Sequence, residues 1–588
     1  MTSFFKFPGI SKNSSLLPLI KIYQNELERR EKLLSAIYVF SQVVLSMLDI
    51  LAALTLGIFA LKVTVGETAS GNSFLYSIPN IDFLYARPPG ALLIIAGILF
   101  LSKNVLQIFF LKRLLVYLPK LSRRYSVKHF REIINYPNRA KKLKDPDSVA
   151  FALNLSAEYI FIDALASILI FISELILVIT FFVFLFWVNP LTTLICFFVL
   201  LSAAIIVYRA ISLHQSELSN LRNLSQIESN RSIQEALGIF REISLSPYHE
   251  TFVSRYNEKR VQFSNSHARM MLAGLLPKNY FELVSILGLF FVVIINEITS
   301  KDDSPVVGIT LFLAIFSRVL PSLLRIQSSL SMLKAASGYL NPLSCLKELQ
   351  SNLIQSRFQF VSANLEKTSP ILSFRNTSFV FPDTKRTLLR PFDIDFYLGD
   401  FVALTGNSGS GKSTFLDLCC QTEIPTTGEV LLKTPNNELA LENRAQVMGY
   451  VPQKSFLIFG TLLENVVMGC PPSRIDLSRV YELLEFVYLD KLADKLKSNG
   501  DFHLQQNMEL SGGERQRLAL VRALYPDPTI LLLDEFTSAI EEDLERDILQ
   551  KLKVISKSKL IITSTHRSAV SDQANRLFRL EDCDLTEL

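Results

Sequence analysis

Gly406-Asn407-Ser408-Gly409-Ser410-Gly411-Lys412-Ser413 decides how the second half of this chain is read. Phe401-Val402-Ala403-Leu404-Thr405 precedes it and predicts a strand; Thr414–Cys420 follows and predicts a helix. Glycines in such a turn let backbone N–H groups wrap a polyphosphate, with a helix N-terminus behind them. Lys412 then adds a charge at the β- and γ-phosphates, and the Ser413 hydroxyl can ligate Mg2+. A glycine-rich turn can also join strand to helix with no ligand, but the full G-x-x-x-x-G-K-S in this setting favours the cradle.

Binding is not hydrolysis, which also needs metal placement and an activated water. Thr529-Ile530-Leu531-Leu532-Leu533 is a second apolar strand, and it ends in Asp534-Glu535. From a strand end Asp534 can hold the Mg2+ shell, and Glu535 can polarise water as a general base. Such an acidic pair is common by itself; in one chain with the cradle it becomes informative.

Between the two lies Leu510-Ser511-Gly512-Gly513-Glu514-Arg515-Gln516. A surface turn capping a helix would account for the serine and glycines, not for the whole string. The string resembles the signature of ATP-binding cassette (ABC) ATPases. That resemblance implies that Gly406–Ser413 and Thr414 bind ATP with Mg2+, the metal lying among Ser413, Gln453 and Asp534. It implies that Ser511, Gly512, Gly513 and Gln516 close a nucleotide site from the far side. Gln453, in Tyr450-Val451-Pro452-Gln453, is similar to the family's glutamine loop, and His566 to its switch histidine. Phe381 matches the aromatic that stacks on adenine, although a strand-end Phe is often plain core. Ser538-Ala539-Ile540-Glu541 departs from the family's usual Leu-Asp at its last two positions, which bears on the contact expected there across a dimer.

The first half has another character. Of 588 residues, 49% are hydrophobic and 20% charged, with 60 Lys+Arg against 55 Asp+Glu. The total alone decides nothing, but residues 191–208 carry no charge and 164–187 carry only Glu174. Runs of ~18 or more apolar residues can cross a bilayer, which excludes a purely soluble enzyme. Six cysteines in this length exclude a disulfide-stapled secreted scaffold, and the opening residues show no apolar core of a signal peptide. Six candidate spans lie near 34–61, 91–117, 161–187, 190–211, 279–297 and 305–330. The basic residues between spans two and three, from Lys112 to Lys144, far outnumber those at 62–90 and 298–304, so both termini are expected in the cytoplasm. The basic cluster hugs the span ends, which fits orientation and anionic lipid; no nucleic-acid partner is expected.

The sequence therefore predicts an α-helical six-span membrane bundle with long cytoplasmic helical extensions, followed by an α/β P-loop cassette. The expected divisions are a cytoplasmic segment 1–33, a membrane domain 34–340, a linker 341–370 and the cassette 371–588. Extensions are expected at 118–160 and 212–278, where Ser225–Phe240 has helical periodicity. The whole arrangement resembles an ABC exporter half-transporter, which implies a second copy of the chain as partner. Glu464, after Gly460-Thr461, sits in a segment similar to exporter cassettes, and segments near 130–140 and 241–256 would be coupling helices.

Charges inside spans are costly and are examined first as functional. Lys103, Lys278 and Arg318 are the candidate substrate cations, with ion pairing or snorkelling as the alternative. Phe316-Ser317-Arg318-Val319-Leu320-Pro321-Ser322 and Phe281-Glu282-Leu283 resemble the membrane domain of bacterial lipid-linked oligosaccharide flippases. That implies cations meeting a lipid pyrophosphate, in a bacterial inner membrane. The aromatic, apolar segment 74–85 suits an interfacial helix. A multidrug, lipid or peptide exporter is the alternative; a peptide exporter with an N-terminal cysteine peptidase is disfavoured because the first cysteine is Cys196.

Overall fold

A computed structural model describes residues 16–65, 86–135, 146–188, 190–212, 215–245, 247–299, 305–343, 358–362, 369–381, 384–434, 447–504 and 510–588. The chain divides into two compact units, one built mainly from residues up to Asn352 and one mainly from those after it.

The first unit is helical over nearly all of its described residues. It comprises α1 (Leu16–Glu26), α2 (Arg29–Val65), α3 (Pro89–Asn135), α4 (Pro146–Phe151), α5 (Leu165–Val188), α6 (Pro190–Ser212), α7 (Gln215–Gly238), α8 (Phe240–Leu245), α9 (His249–Thr299) and α10 (Pro305–Ala335). Two π-helical turns, Ala152–Ser156 and Tyr159–Ala164, lead into α5. Each expected span falls within a helix. By length and composition, three stretches among the described residues can cross a membrane: Arg29–Leu56, Pro89–Asn135 and Pro146–Phe186. On α3, Ile98, Leu101 and Val105 are each at least 60% exposed. Water would not tolerate that stripe, whereas lipid would.

The described residues of the long extensions are helical, as the periodicity predicts. Helix α3 runs unbroken to Asn135, and the periodic stretch at 225–240 is the end of α7, with α8 starting at Phe240. Leu19, Ile22 and Tyr23 of α1 are buried in one cluster with Leu118, Leu121 and Tyr125 of α3. Tyr23 donates to the Ile160 carbonyl at 2.6 Å, in the second π turn. Part of the basic cluster is consumed here: Arg124 bonds Glu28 and Glu31, and Lys128 bonds Glu26. Residues 241–256 cover α8 and the start of α9, while 136–140 and 74–85 lie outside the described residues.

The second unit contains the strands. A four-stranded sheet joins β1 (Phe358–Ser362), β2 (Leu372–Val380), β3 (Thr387–Phe396) and β5 (Thr427–Thr434) in the order β1-β5-β2-β3. Its first strand lies inside the stretch 341–370 that the sequence assigned to a linker. Phe358-Gln359-Phe360-Val361-Ser362 is too short to stand out from its polar surroundings, and its partner in β5 is distant in sequence. The second sheet holds β4 (Phe401–Thr405), β6 (Met448–Val451), β9 (Ile530–Asp534), β10 (Leu560–Ser564), β11 (Arg576–Glu581) and β12 (Asp584–Glu587), ordered β12-β11-β4-β10-β9-β6. Only β12 runs antiparallel to its neighbour.

Central strands of such a sheet are buried on both faces, hence their unbroken apolar runs. Leu531 and Leu533 enter one core cluster with Phe401 and Ile561, while Ile530 and Leu532 enter another with Val402, Leu404 and Ile562. The register aligns Ser564 of β10 with Leu404 of β4 and with Asp534 of β9. The carboxyl ends of three adjacent strands thus meet at one edge, where open parallel sheets bind ligands.

Candidate functional site

The phosphate-type loop leaves β4 and enters α11 (Lys412–Cys419). Gly406 has φ +149° there, and a Cβ on it would stand 2.3 Å from the Leu580 carbonyl oxygen. Only glycine fits so close an approach. Gly411, at φ +112°, turns the chain into the helix.

Lys412 is 5% exposed, and its Nζ donates to the carbonyls of Gly406 (2.8 Å) and Asn407 (3.2 Å). It also lies 2.9 Å from His566 Nε2. Burial pulls the Lys412 ammonium below the usual lysine range, against the opposing pull of the Glu535 and Asp534 carboxylates. His566 Nε2 is in turn 3.3 Å from Glu535 Oε1, and the Gln453 amide donates to Glu535 Oε2 at 2.6 Å. Lys412, Gln453, Glu535 and His566 are therefore one connected group.

Asp534 closes β9 at 5% exposure and accepts from Ser564 Oγ at 2.5 Å and from the Tyr450 hydroxyl at 3.4 Å. Burial, then the Asp534 carboxylate, pushes the Tyr450 phenol above its ordinary range, so it stays a neutral donor. Glu535 takes φ +44°, a left-handed conformation that costs a non-glycine residue about 1–2 kcal/mol. Such strain gathers at functional positions. Nothing in the residue types at 534–535 announced it.

The signature string is divided by the structure. Ser511 caps α12 (Gly512–Leu524): its hydroxyl accepts from Glu514 N, and Glu514 Oε2 accepts from Ser511 N. Ser511 and Gly512 are exposed. A Cβ on Gly513 would come within 2.6 Å of the Ala539 carbonyl oxygen, so that glycine serves close packing. Gln516 is buried with its amide fully engaged within the chain: it donates to Ser538 Oγ (2.7 Å) and the Gln453 carbonyl (3.3 Å), and accepts from Ala539 N. Instead of facing outward with Ser511, it ties the 453 loop to the 538–539 turn. Arg567 grips the same turn, donating to the carbonyls of Ser538 and Ile540 and pairing with Glu545. Glu541, at the departure from the family string, begins the following helix without a side-chain cap. Glu464 completes a capping box with Thr461. Phe381, 42% exposed, packs edge-on against Phe379 at the end of β2.

The donor set suits a polyphosphate with its metal. Among the described residues, Ser410 Oγ is buried in the loop without a hydrogen-bond partner, and Lys412 Nζ meets the Gly406 and Asn407 carbonyls and the His566 ring. Exposed Ser413 lies in the first turn of the helix, and the Asp534 carboxylate closes β9, two strands from β4. Beside the loop, a polar cavity of about 330 Å³ is lined by Thr405, Gly406, Asn407, His566 and Arg579 among others.

Residues 389–538 match the family ABC transporter. The C-terminal unit is an ABC transporter ATPase domain. It binds nucleotide, as that family does. Across the chain, the fold is that of an ABC exporter: a solved bacterial Atm1-family ABC exporter with ATP bound superposes with a TM-score of 0.73, covering 94% of each chain at 18% identity. Named sequence relatives include the ATP-dependent lipid A-core flippases of Ralstonia nicotianae (28% identical, 63% of this chain and 62% of the relative) and Cupriavidus metallidurans (29%, 60% of each). The flippase of Chromohalobacter salexigens is 32% identical over 36% of this chain and 37% of its own. The chain spans about 60% of the length of the first two of these curated relatives.

The substrate candidates fare differently. Lys103 pairs with Asp49 at 3.0 Å, both largely buried, and exposed Lys278 lies 3.9 Å from Glu282. Arg318 is on α10, but its side chain lies outside the described residues. On the same helix, Arg325 is held by Glu174 through two contacts of 2.5 and 3.1 Å. Arg325 was missed by sequence reasoning, although it lies two helical turns from Arg318 on the same helix.

Proposed function

We propose that this chain uses ATP to move an amphiphile with a phosphate- and sugar-bearing head across a bacterial inner membrane. The observation that carries it is the linked group of Lys412, Gln453, Glu535 and His566 in an ATPase domain fused to apolar helices. In this reading Lys412 and the loop amides hold the phosphates. Ser413, Asp534 and Gln453 would hold Mg2+, which supplies charge neutralisation at the phosphate oxygens. Glu535 takes the proton of the attacking water, and His566 orients the γ-phosphate. Phe381 stacks on the adenine. A second copy of the chain supplies Ser511, Gly512 and Gly513 to each site, the arrangement that the resemblance to ABC half-transporters implies. A homodimer with two equal sites is the simplest closed assembly.

The six spans, the cytoplasmic termini and the limits 1–33, 34–340, 341–370 and 371–588 belong to the same proposal, with the strand Phe358–Ser362 joined to the cassette. The substrate class rests on the relatives named as lipid A-core flippases and on the likeness of 316–322 to lipid-linked oligosaccharide flippases. Both substrates join apolar chains to a phosphorylated sugar head. Arg318 is the proposed phosphate contact, because an Arg fork suits phosphate. Lys103 and Lys278 are weaker candidates, each facing a carboxylate of its own chain. The test is a panel of ATPase stimulation in nanodiscs. Phosphorylated glycolipids should stimulate and hydrophobic drugs should not; the reverse would favour a multidrug exporter.

A further inference from the structure

We propose that Ser564 is a positioning residue for the reacting centre, one hydroxyl holding both the Asp534 carboxylate and the Glu535 backbone amide. The proposal rests on the nucleotide-hydrolysis reading above and extends it to a residue that the sequence did not single out.

Ser564 is the last residue of β10 and is 1% exposed. The parallel register sets it directly beside Asp534. Its Oγ donates to Asp534 Oδ1 at 2.5 Å, and it accepts from Glu535 N at 3.1 Å, while the Ser564 carbonyl accepts from the same N–H at 3.2 Å. A hydroxyl has one donor and two acceptor sites, so this serine spans two consecutive residues with opposite needs.

Burial alone does not call for a hydroxyl. Ile561 and Ile562 precede it on the same buried strand, and an aliphatic residue would satisfy the packing. Among the described residues, it would leave Asp534, itself buried, with the longer Tyr450 contact on its other oxygen. A buried carboxylate short of donors loses the contact that fixes its orientation. Glu535 meanwhile sits at φ +44°, a conformation that persists only where its surroundings hold it. Its amide is held entirely by Ser564, through two acceptor atoms. The strained backbone sets the direction of the Glu535 side chain, so Ser564 acts on the proposed base through the backbone and on the proposed metal-binding carboxylate through its hydroxyl. Partners that orient metal-binding carboxylates typically change metal affinity or activity about 10–100-fold when removed.

The experiment uses the purified full-length chain in nanodiscs, with Ser564→Ala, Ser564→Thr and Ser564→Cys. The first readout is the thermal shift given by a non-hydrolysable ATP analogue as Mg2+ is titrated; the second is kcat and KM for ATP. Ser564→Ala should raise the half-saturating Mg2+ about ten-fold. It should lower kcat by a similar factor while KM and analogue binding in EDTA stay at wild-type values. Ser564→Thr, which keeps the hydroxyl, should restore both. If the alanine chain is unstable without ligand, Ser564→Cys, a weak donor of similar size, should show the same Mg2+ shift. Wild-type Mg2+ dependence and kcat in a stable Ala or Cys variant overturn the proposal. So does an equal loss of binding with and without Mg2+, the mark of general damage. A wild-type chain that binds no analogue overturns the nucleotide reading itself.

Discussion

Lys412 Nζ lies 2.9 Å from His566 Nε2, across a sequence separation of 154 residues. A protonated lysine donating to Nε2 requires the imidazole proton to be on Nδ1. Nε2 then cannot also donate to Glu535 Oε1, 3.3 Å away. The ammonium, the imidazole and the carboxylate therefore compete for one nitrogen, and bound phosphate would draw Lys412 from His566 and free Nε2 to donate. Lys412→Ala should weaken ATP binding at least about ten-fold in equilibrium titration, because a charged phosphate contact is lost. Unchanged affinity would remove Lys412 from the phosphate site.

Glu535→Gln should keep ATP affinity and lose turnover by about 10²–10⁴-fold, the usual worth of a positioned general base. Isosteric glutamine retains an acceptor toward Gln453 but cannot take a proton. Steady-state kinetics with nucleotide binding separates the two effects, and wild-type turnover would mean that another group is the base.

Much of this site was legible because its residues are consecutive. The cradle, the strand before it and the Asp534-Glu535 pair are local strings bounded by unmistakable apolar runs, and β4 spans the very residues assigned to it. What was not legible is long-range. Gln516 reads as part of the signature, yet its amide is spent on Ser538, Ala539 and Gln453, 22 to 63 residues away. Strand β1 was hidden in a polar stretch because its register with β5 is a tertiary fact. Arg325 and Glu174 are 151 residues apart, so neither announces the other.

That ion pair makes its own prediction. Glu174 is 10% exposed and Arg325 about half exposed, so removing the arginine leaves a carboxylate partly stranded. Arg325→Ala should cost ~1–3 kcal/mol, below the range for fully buried pairs because Arg325 remains partly solvated. The double variant Arg325→Ala/Glu174→Gln should recover most of the loss of melting temperature. No recovery would mean that Arg325 acts through something other than Glu174.

Acid sensitivity should appear at the end of the ATPase domain. Hydrogen bonding to Arg576 holds the Glu587 carboxyl below the usual glutamate range, through contacts of 2.6 and 3.0 Å. A carboxyl depressed on folding adds stability above its unfolded pKa, about 4.3, and loses it as pH falls through the lower folded value. Calorimetry of wild type and Glu587→Gln should differ at pH 7 and converge as pH falls through the lowered folded value. A difference that persists undiminished at low pH would exclude the charge as its origin.

The central claim is that ATP hydrolysis at Glu535 drives a phosphate-bearing glycolipid across the bilayer. The direct measurement reconstitutes the full-length chain in proteoliposomes and follows leaflet exchange of a fluorescent polyprenyl-pyrophosphate oligosaccharide, with a phosphorylated lipid A-core glycolipid in parallel. The account predicts ATP-dependent exchange of at least one of them by the wild type, and none by Glu535→Gln. Exchange of neither by a wild-type chain that hydrolyses ATP, or equal exchange with and without ATP, would contradict it.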